Sequence, residues 1–282
     1  MELSAPKRLG RTVVLGYCDI ASAGIRALEG LSPPSGTRAT GMRETGRECL
    51  TFSGMGSAAF DGSPPLEAVH FDSDGGADSD GSVTLLKLNT VVGQDLSASL
   101  AMSVVDLLAA HQPALESVII AAAVQPPKRH QMPKAAPAPF STTPTASTVM
   151  PQDAVFAFSC GSQQLCDPDA SVAEGVTSPL STLVSSLAVL PSGARIADSF
   201  LATFARLCQL EDLPLLVLAR HGYRATGAAA DADGTDEAIN ALGDCLAKVL
   251  DLDFSTRKAC AARKSRGWKG TDPERGVVPG YI

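Results

Sequence analysis

Three short runs of this sequence are apolar on both faces: SVIIAAAV (Ser117–Val124), AVFAFS (Ala154–Ser159) and LPLLVLAR (Leu213–Arg220). A strand with one solvated face alternates apolar and polar residues. A run that does not alternate needs cover on both sides, which suits a central strand between two helix layers. TVVLGY (Thr12–Tyr17) and VTLLKLNT (Val83–Thr90) read as further strands.

Amphipathic helices supply the cover. Asp19 can cap the segment IASAGIRAL. Asp95 opens a helix on which Leu96, Leu100, Val104, Leu107 and Leu108 share one wide face. Ser178 caps and Pro179 enters the first turn of another, with Leu180, Leu183, Val184, Leu187 and Leu190 as its stripe. A helix over 196–210 sets Ile196, Phe200, Phe204 and Leu207 on one side. The last begins after Thr235, with Asp236 and Glu237 at its positive end and Ile239, Leu242, Leu246, Val249 and Leu250 facing inward. Strand and helix alternate without an internal repeat. The pattern predicts an α/β fold, a three-layer α/β/α sandwich with a mainly parallel central sheet.

Three stretches interrupt that pattern. Residues 31–82 are rich in Gly, Ser, Asp and Pro, and DSDGGADSD concentrates four aspartates in nine residues. Residues 125–151 hold seven prolines. The third stretch is 253–282. What is left is about one ordinary domain, so the reading is a single domain over 1–252 with flexible insertions at 31–82 and 125–151, then a flexible basic tail.

Charge and cysteine usage narrow the function classes. The net charge is −7, yet seven Lys or Arg stand against Asp272 and Glu274 between Arg257 and Arg275, so the body is strongly acidic. Broad nucleic-acid binding needs a basic face, which such a body disfavours. Seven scattered cysteines argue against a secreted disulfide framework and for a reducing compartment. The N-terminal apolar run is too short for a signal peptide, and Asp106 with HQP interrupts the best candidate for a membrane span. The expectation is a soluble, intracellular protein.

Catalysis has no strong signature. In open parallel sheets chemistry gathers beyond the carboxyl ends of strands, which here means Tyr17 to Asp19, Cys160 with Gly161, and Arg220 with His221. Cys160, His221 and Asp19 together could supply a thiolate, a base and an orienting carboxylate, as in a phosphorylase- or hydrolase-like α/β/α enzyme. A packed core cysteine and a strand-end histidine bonded to a loop backbone are the more ordinary reading. GMGSAA (Gly54–Ala59) matches G-x-G-x-x-A, but FDGSPP breaks the helix that a phosphate cradle requires. The clusters DSDGGADSD and DADGTDE lack the calcium-loop spacing, and Cys160 with Cys166 has no second pair for zinc. No metal or cofactor is expected.

Binding is therefore favoured, and here a resemblance enters. SPLSTLVSSLAVLPSGARIADSFLATFARLCQLEDLPLLVLARHGY (Ser178–Tyr223) resembles the proteasome assembly chaperone 1 family. TVVLGYCDIASAGIRAL is similar to that family's first strand and helix, and ESVIIAAAV to a central strand. Family members end in a hydrophobic residue, a tyrosine and one last residue, which insert between neighbouring α subunits of the core proteasome. Tyr281 and Ile282 match the second and third positions, while Gly280 stands at the first.

The resemblance implies a non-enzymatic chaperone of cytoplasm and nucleus, paired with a proteasome assembly chaperone 2-like subunit. It would bind core proteasome α subunits, promote α-ring assembly and block premature activator binding, with neither nucleic acid nor membrane as partner. A flexible thirty-residue tail spans about 30 Å, and tethering raises the local concentration of its tip to about millimolar. The tyrosine ring offers apolar area with a polar end, and the terminal carboxylate offers a charge for a lysine or a backbone nest.

Overall fold

The structure is a computed structural model, and it describes residues 3, 6, 8–19, 22–35, 41–52, 64–73, 81–89, 96–111, 115–124, 154–160, 187–189, 198–222 and 235–265. Its centre is a sheet of strands β1 (Thr12–Tyr17), β3 (Arg43–Leu50), β4 (Leu66–Asp72), β5 (Val83–Leu88), β6 (Ser117–Val124), β7 (Val155–Cys160), β8 (Ala188–Val189) and β9 (Leu215–His221). A separate two-stranded ribbon pairs β2 (Leu31–Ser32) with β10 (Asp253–Phe254). The order across the main sheet is β3-β4-β5-β1-β6-β9-β7-β8.

The four middle strands β5-β1-β6-β9 are parallel. Two of them, β6 and β9, are runs that read as apolar on both faces, while the third such run, β7, lies outside this parallel centre; both faces of the centre are covered. Val13, Leu15 and Tyr17 point to the side of α2 (Ser97–Ala109) and α3 (Ser199–Leu210). Val14, Ile119 and Leu216 point to the other side, where α1 (Ala23–Gly30) and α4 (Thr235–Leu250) lie. Because neighbouring residues of a strand face opposite ways, alternate side chains of one strand feed two separate cores. The α/β/α sandwich follows, with antiparallel strands at both margins of its parallel centre.

Two of the stretches read as outside the core contribute to it. Within 31–82, β3 and β4 extend the sheet, and Leu66, Ala68, Val69 and Phe71 are buried. The sequence hides β3 because RETGRECL is exposed along most of its length, so it carries no apolar face to recognise. The tail also begins later than read. After β10, helix α5 (Thr256–Ser265) packs against α1, and Ala259 is completely buried. Residues 125–151 and the helix start at Ser178 lie outside the described residues. Ala188 and Val189, placed near the end of that helix by their spacing, form β8 beside β7.

Candidate functional site

The carboxyl edge of the parallel strands is held together by Asp19. After β1 the chain turns tightly, with the Asp19 N–H donating to the Tyr17 carbonyl at 2.9 Å. The carboxylate then accepts the Gly24 N–H, at 3.1 Å for Oδ2, and the N–H of Ala123 near the end of β6. The helix begins at Ala23 with Ser22 at its N-cap position, later than the sequence predicts, yet Asp19 still satisfies a donor that the first turn of α1 leaves open and ties that helix to a neighbouring strand. Burial pushes its carboxyl well above the usual carboxylate range. The N–H groups of Ala123 and Gly24 act the other way, and the nearby Asp198 carboxylate adds to the rise.

This clasp depends on close approach. A Cβ on Gly24 would lie 2.2 Å from the Ala121 carbonyl oxygen, so only glycine lets α1 sit this near β6. Ser22, just before the helix, has φ of 52°, a left-handed conformation that non-glycine residues seldom adopt. Its buried hydroxyl has no hydrogen-bond partner among the described residues. Just before Asp19, the Cys18 thiol donates to the Leu88 carbonyl at 3.6 Å, across the seam between β1 and β5.

Asp198 caps α3, accepting the Leu201 N–H at 2.8 Å. The helix it starts presents Phe200, whose ring centroid is 4.8 Å from that of Tyr17. His221 ends β9, is 4% exposed and lies 5.7 Å from Phe156, centroid to centroid. Burial, aided by the Arg220 guanidinium, holds its pKa below the ordinary imidazole value. Neither ring nitrogen has a partner among the described residues.

The strand directions separate the catalytic candidates. β7 runs antiparallel to β9, pairing Val155 with Arg220 and Cys160 with Leu215. Cys160 therefore sits beside the start of β9 and His221 at its end, about 20 Å apart at roughly 3.3 Å per residue. Asp19 lies at the His221 end, so the thiolate–base–carboxylate set does not assemble. Apolar patterning conceals strand direction, so the parallel direction expected for β7 is corrected to antiparallel. Gly280, Tyr281, Ile282, the segment Gly54–Ala59 and Asp231 with Asp233 lie outside the described residues. Among the described residues, no group of three or more His, Cys, Asp or Glu is placed to hold a metal ion, and no helix is long and apolar enough to cross a membrane.

Two charged clusters went unread in the sequence. Arg26, 5% exposed on α1, donates to Asp236 of α4 at 2.9 Å and to the Ala259 carbonyl of α5 at 3.4 Å. It fixes the helix from which the C-terminal segment departs. Lys87 of β5, 2% exposed, lies 2.8 Å from Glu67 and 3.2 Å from Glu29. A lone lysine in VTLLKL was the available signal, since a charge inside a doubly covered strand requires a buried partner.

No protein-family model matches this chain, and no curated protein does. Solved structures do resemble it. Pyrococcus furiosus PbaB, an archaeal proteasome activator, is 12% identical, with 93% of this chain and 95% of that one covered and a TM-score of 0.51. A protein with unknown function from Thermoplasma acidophilum is 10% identical, with 92% and 86% covered and a TM-score of 0.51. P. furiosus PbaA, an archaeal homolog of proteasome-assembly chaperone, is 14% identical, with 93% and 91% covered and a TM-score of 0.48. At such identities the likeness is one of fold.

Proposed function

We propose that this chain is a proteasome assembly chaperone that acts by binding and not by catalysis. What carries the reading is the coincidence, in one chain, of this fold with the C-terminal pair Tyr281 and Ile282. The fold is shared along 93% of the chain with an archaeal proteasome activator, and the run Ser178–Tyr223 resembles the chaperone 1 family. The separation of Cys160 from His221 removes the geometry on which an enzymatic alternative relied.

In this proposal the chain pairs with a chaperone 2-like subunit in the cytoplasm and nucleus. The pair binds core proteasome α subunits, promotes α-ring assembly and keeps activators off until the ring is complete. Gly280, Tyr281 and Ile282 form the anchor. The chain has seventeen residues after α5, and a fully extended segment of that length reaches at most roughly 60 Å. Arg26 and Ala259 fix its point of departure on the body.

The test compares the full chain with one lacking residues 280–282 for binding to purified α-subunit assemblies. We expect affinity to fall at least tenfold, roughly the loss of one well-placed anchor contact, with the thermal midpoint unchanged. Equal affinity of the two would remove the anchor. Failure of both to bind, alone or with a chaperone 2-like subunit, would remove the chaperone reading.

A further inference from the structure

At one margin of the sheet, β3 has a neighbour only on its β4 side among the described residues. Its sequence from Arg43 to Glu48 is Arg-Glu-Thr-Gly-Arg-Glu; Arg43, Glu44, Thr45 and Arg47 are exposed, and Gly46 and Glu48 are half-buried. An edge strand displays a row of backbone donors and acceptors, and charged residues and bulges commonly keep such edges apart. Charges repel a second strand only when like meets like. Here their order is its own antiparallel complement.

The pairing with β4 determines which side chains share a face. The register slips between Glu44 and Gly46, so that Thr45 is an extra residue in the strand. Arg43 stands opposite Asp72 and Glu48 opposite Ala68, two positions on one face of β4. Glu44 stands opposite Phe71 and Arg47 opposite Val69, both on the other face. The salt bridge between Arg47 Nε and Glu44 Oε1 at 2.6 Å agrees with that assignment. Without the bulge, residues three apart would point to opposite faces.

We infer that β3 is a homodimerisation edge, on which a second copy of this chain pairs its own β3 in antiparallel register about Gly46, with Thr45 passed over in both strands as it is against β4. Arg43 then faces Glu48 of the second copy, and Glu44 faces Arg47 of the second copy, each pair on a common face and each formed twice by the two-fold symmetry. A register displaced by one residue would set Arg43 against Arg47, or Glu44 against Glu48. Like charges directly opposite are destabilising, so the charge order selects a single register. Gly46 suits the axis, since a Cβ built there meets nothing within 4 Å in this chain. Such an interface is isologous, the commonest symmetry among oligomers, and joins two sheets into one. The inference does not rest on the chaperone reading.

Sedimentation equilibrium on the purified full chain tests it. The mass should rise with concentration from 29.0 kDa towards twice that value. Arg43→Glu places glutamate against Glu48 on both sides of the axis and should raise the dimer dissociation constant at least about tenfold. Glu48→Arg should do the same. The double variant R43E/E48R restores complementarity and the dimer, and an equimolar mixture of the two single variants should form a heterodimer. Thermal midpoints of the variants as monomers report folding; Glu48 Oε1 lies 3.7 Å from His70 Nε2, so where E48R disturbs that contact, R43E at its exposed position carries the test. A chain that stays at 29.0 kDa up to about 500 µM, well above the micromolar range of a weak dimer, would overturn the inference. So would a dimer whose affinity R43E leaves unchanged.

Discussion

The carboxylate of Asp19 accepts the N–H of Ala123, joining the loop after the first strand to the end of a strand more than a hundred residues later. Burial raises its pKa despite that bond, so the folded protein holds the Asp19 proton more tightly than the unfolded chain does. The stability this proton confers is complete below the unfolded value, near 3.9, and is lost as pH rises from there through the folded value. The unfolding free energy of the wild type, relative to Asp19→Asn, should therefore fall with rising pH over that window. Urea titrations between pH 4 and 8 check this, and a rising difference would show that the N–H donors outweigh desolvation.

Gly24 sets the distance between α1 and β6. Gly24→Ala drives a methyl group to 2.2 Å from the Ala121 oxygen, and backbone cannot yield as a flexible side-chain tip can. The expected loss is about 3 kcal/mol, the upper range for overpacking, measured by chemical denaturation. A change below about 0.5 kcal/mol, the size of a neutral surface substitution, would mean that the helix can lift without cost.

Arg26 and Asp236 should not be equivalent. Asp236→Ala strands a buried guanidinium, for which about 3 kcal/mol is expected. Arg26→Met replaces that cation with an apolar chain and leaves a partly exposed aspartate that water can serve, at about 1 kcal/mol. Hydrogen exchange over residues 256–265 should accelerate in Arg26→Met, because α5 loses the bond from Arg26 to the Ala259 carbonyl. A reversed order of stabilities would place the main contribution of Arg26 in its bond to the Ala259 carbonyl.

The described cysteines should separate sharply by reactivity. Cys49 is exposed on β3, Cys208 is fully buried, and burial pushes the Cys245 thiol up to about 11. In the folded protein at pH 7.5, alkylation followed by mass spectrometry should label Cys49 at least about a hundredfold faster than Cys245 or Cys208, because the thiolate is the reacting species. Equal rates would mean that the α4 and α3 faces open readily.

Local periodicity was legible wherever a residue's surroundings come from its own element. Leu100, Val104, Leu107 and Leu108 are buried on α2, and Ile239, Leu242, Leu246 and Leu250 on α4, as their spacing predicts. Of the doubly apolar runs, β6 and β9 lie in the parallel centre of the sheet and β7 lies outside it, and Asp19 serves the helix that follows it. β3 escaped notice because an edge strand needs no apolar face, and α5 because its apolar contact is little more than the buried Ala259.

For the elements with an apolar face, the amino-acid sequence was enough to show whether one face or two is covered, and hence the layered α/β class, since burial leaves its period in the residues. Strand direction and neighbours emerged with the packing: β7 runs against β9 and parts Cys160 from His221, and Lys87 meets Glu67 while Arg26 meets Asp236. Those outcomes depend on contacts between residues far apart in the chain. Side-chain periodicity is the same for a strand read in either direction, so it carries no record of them.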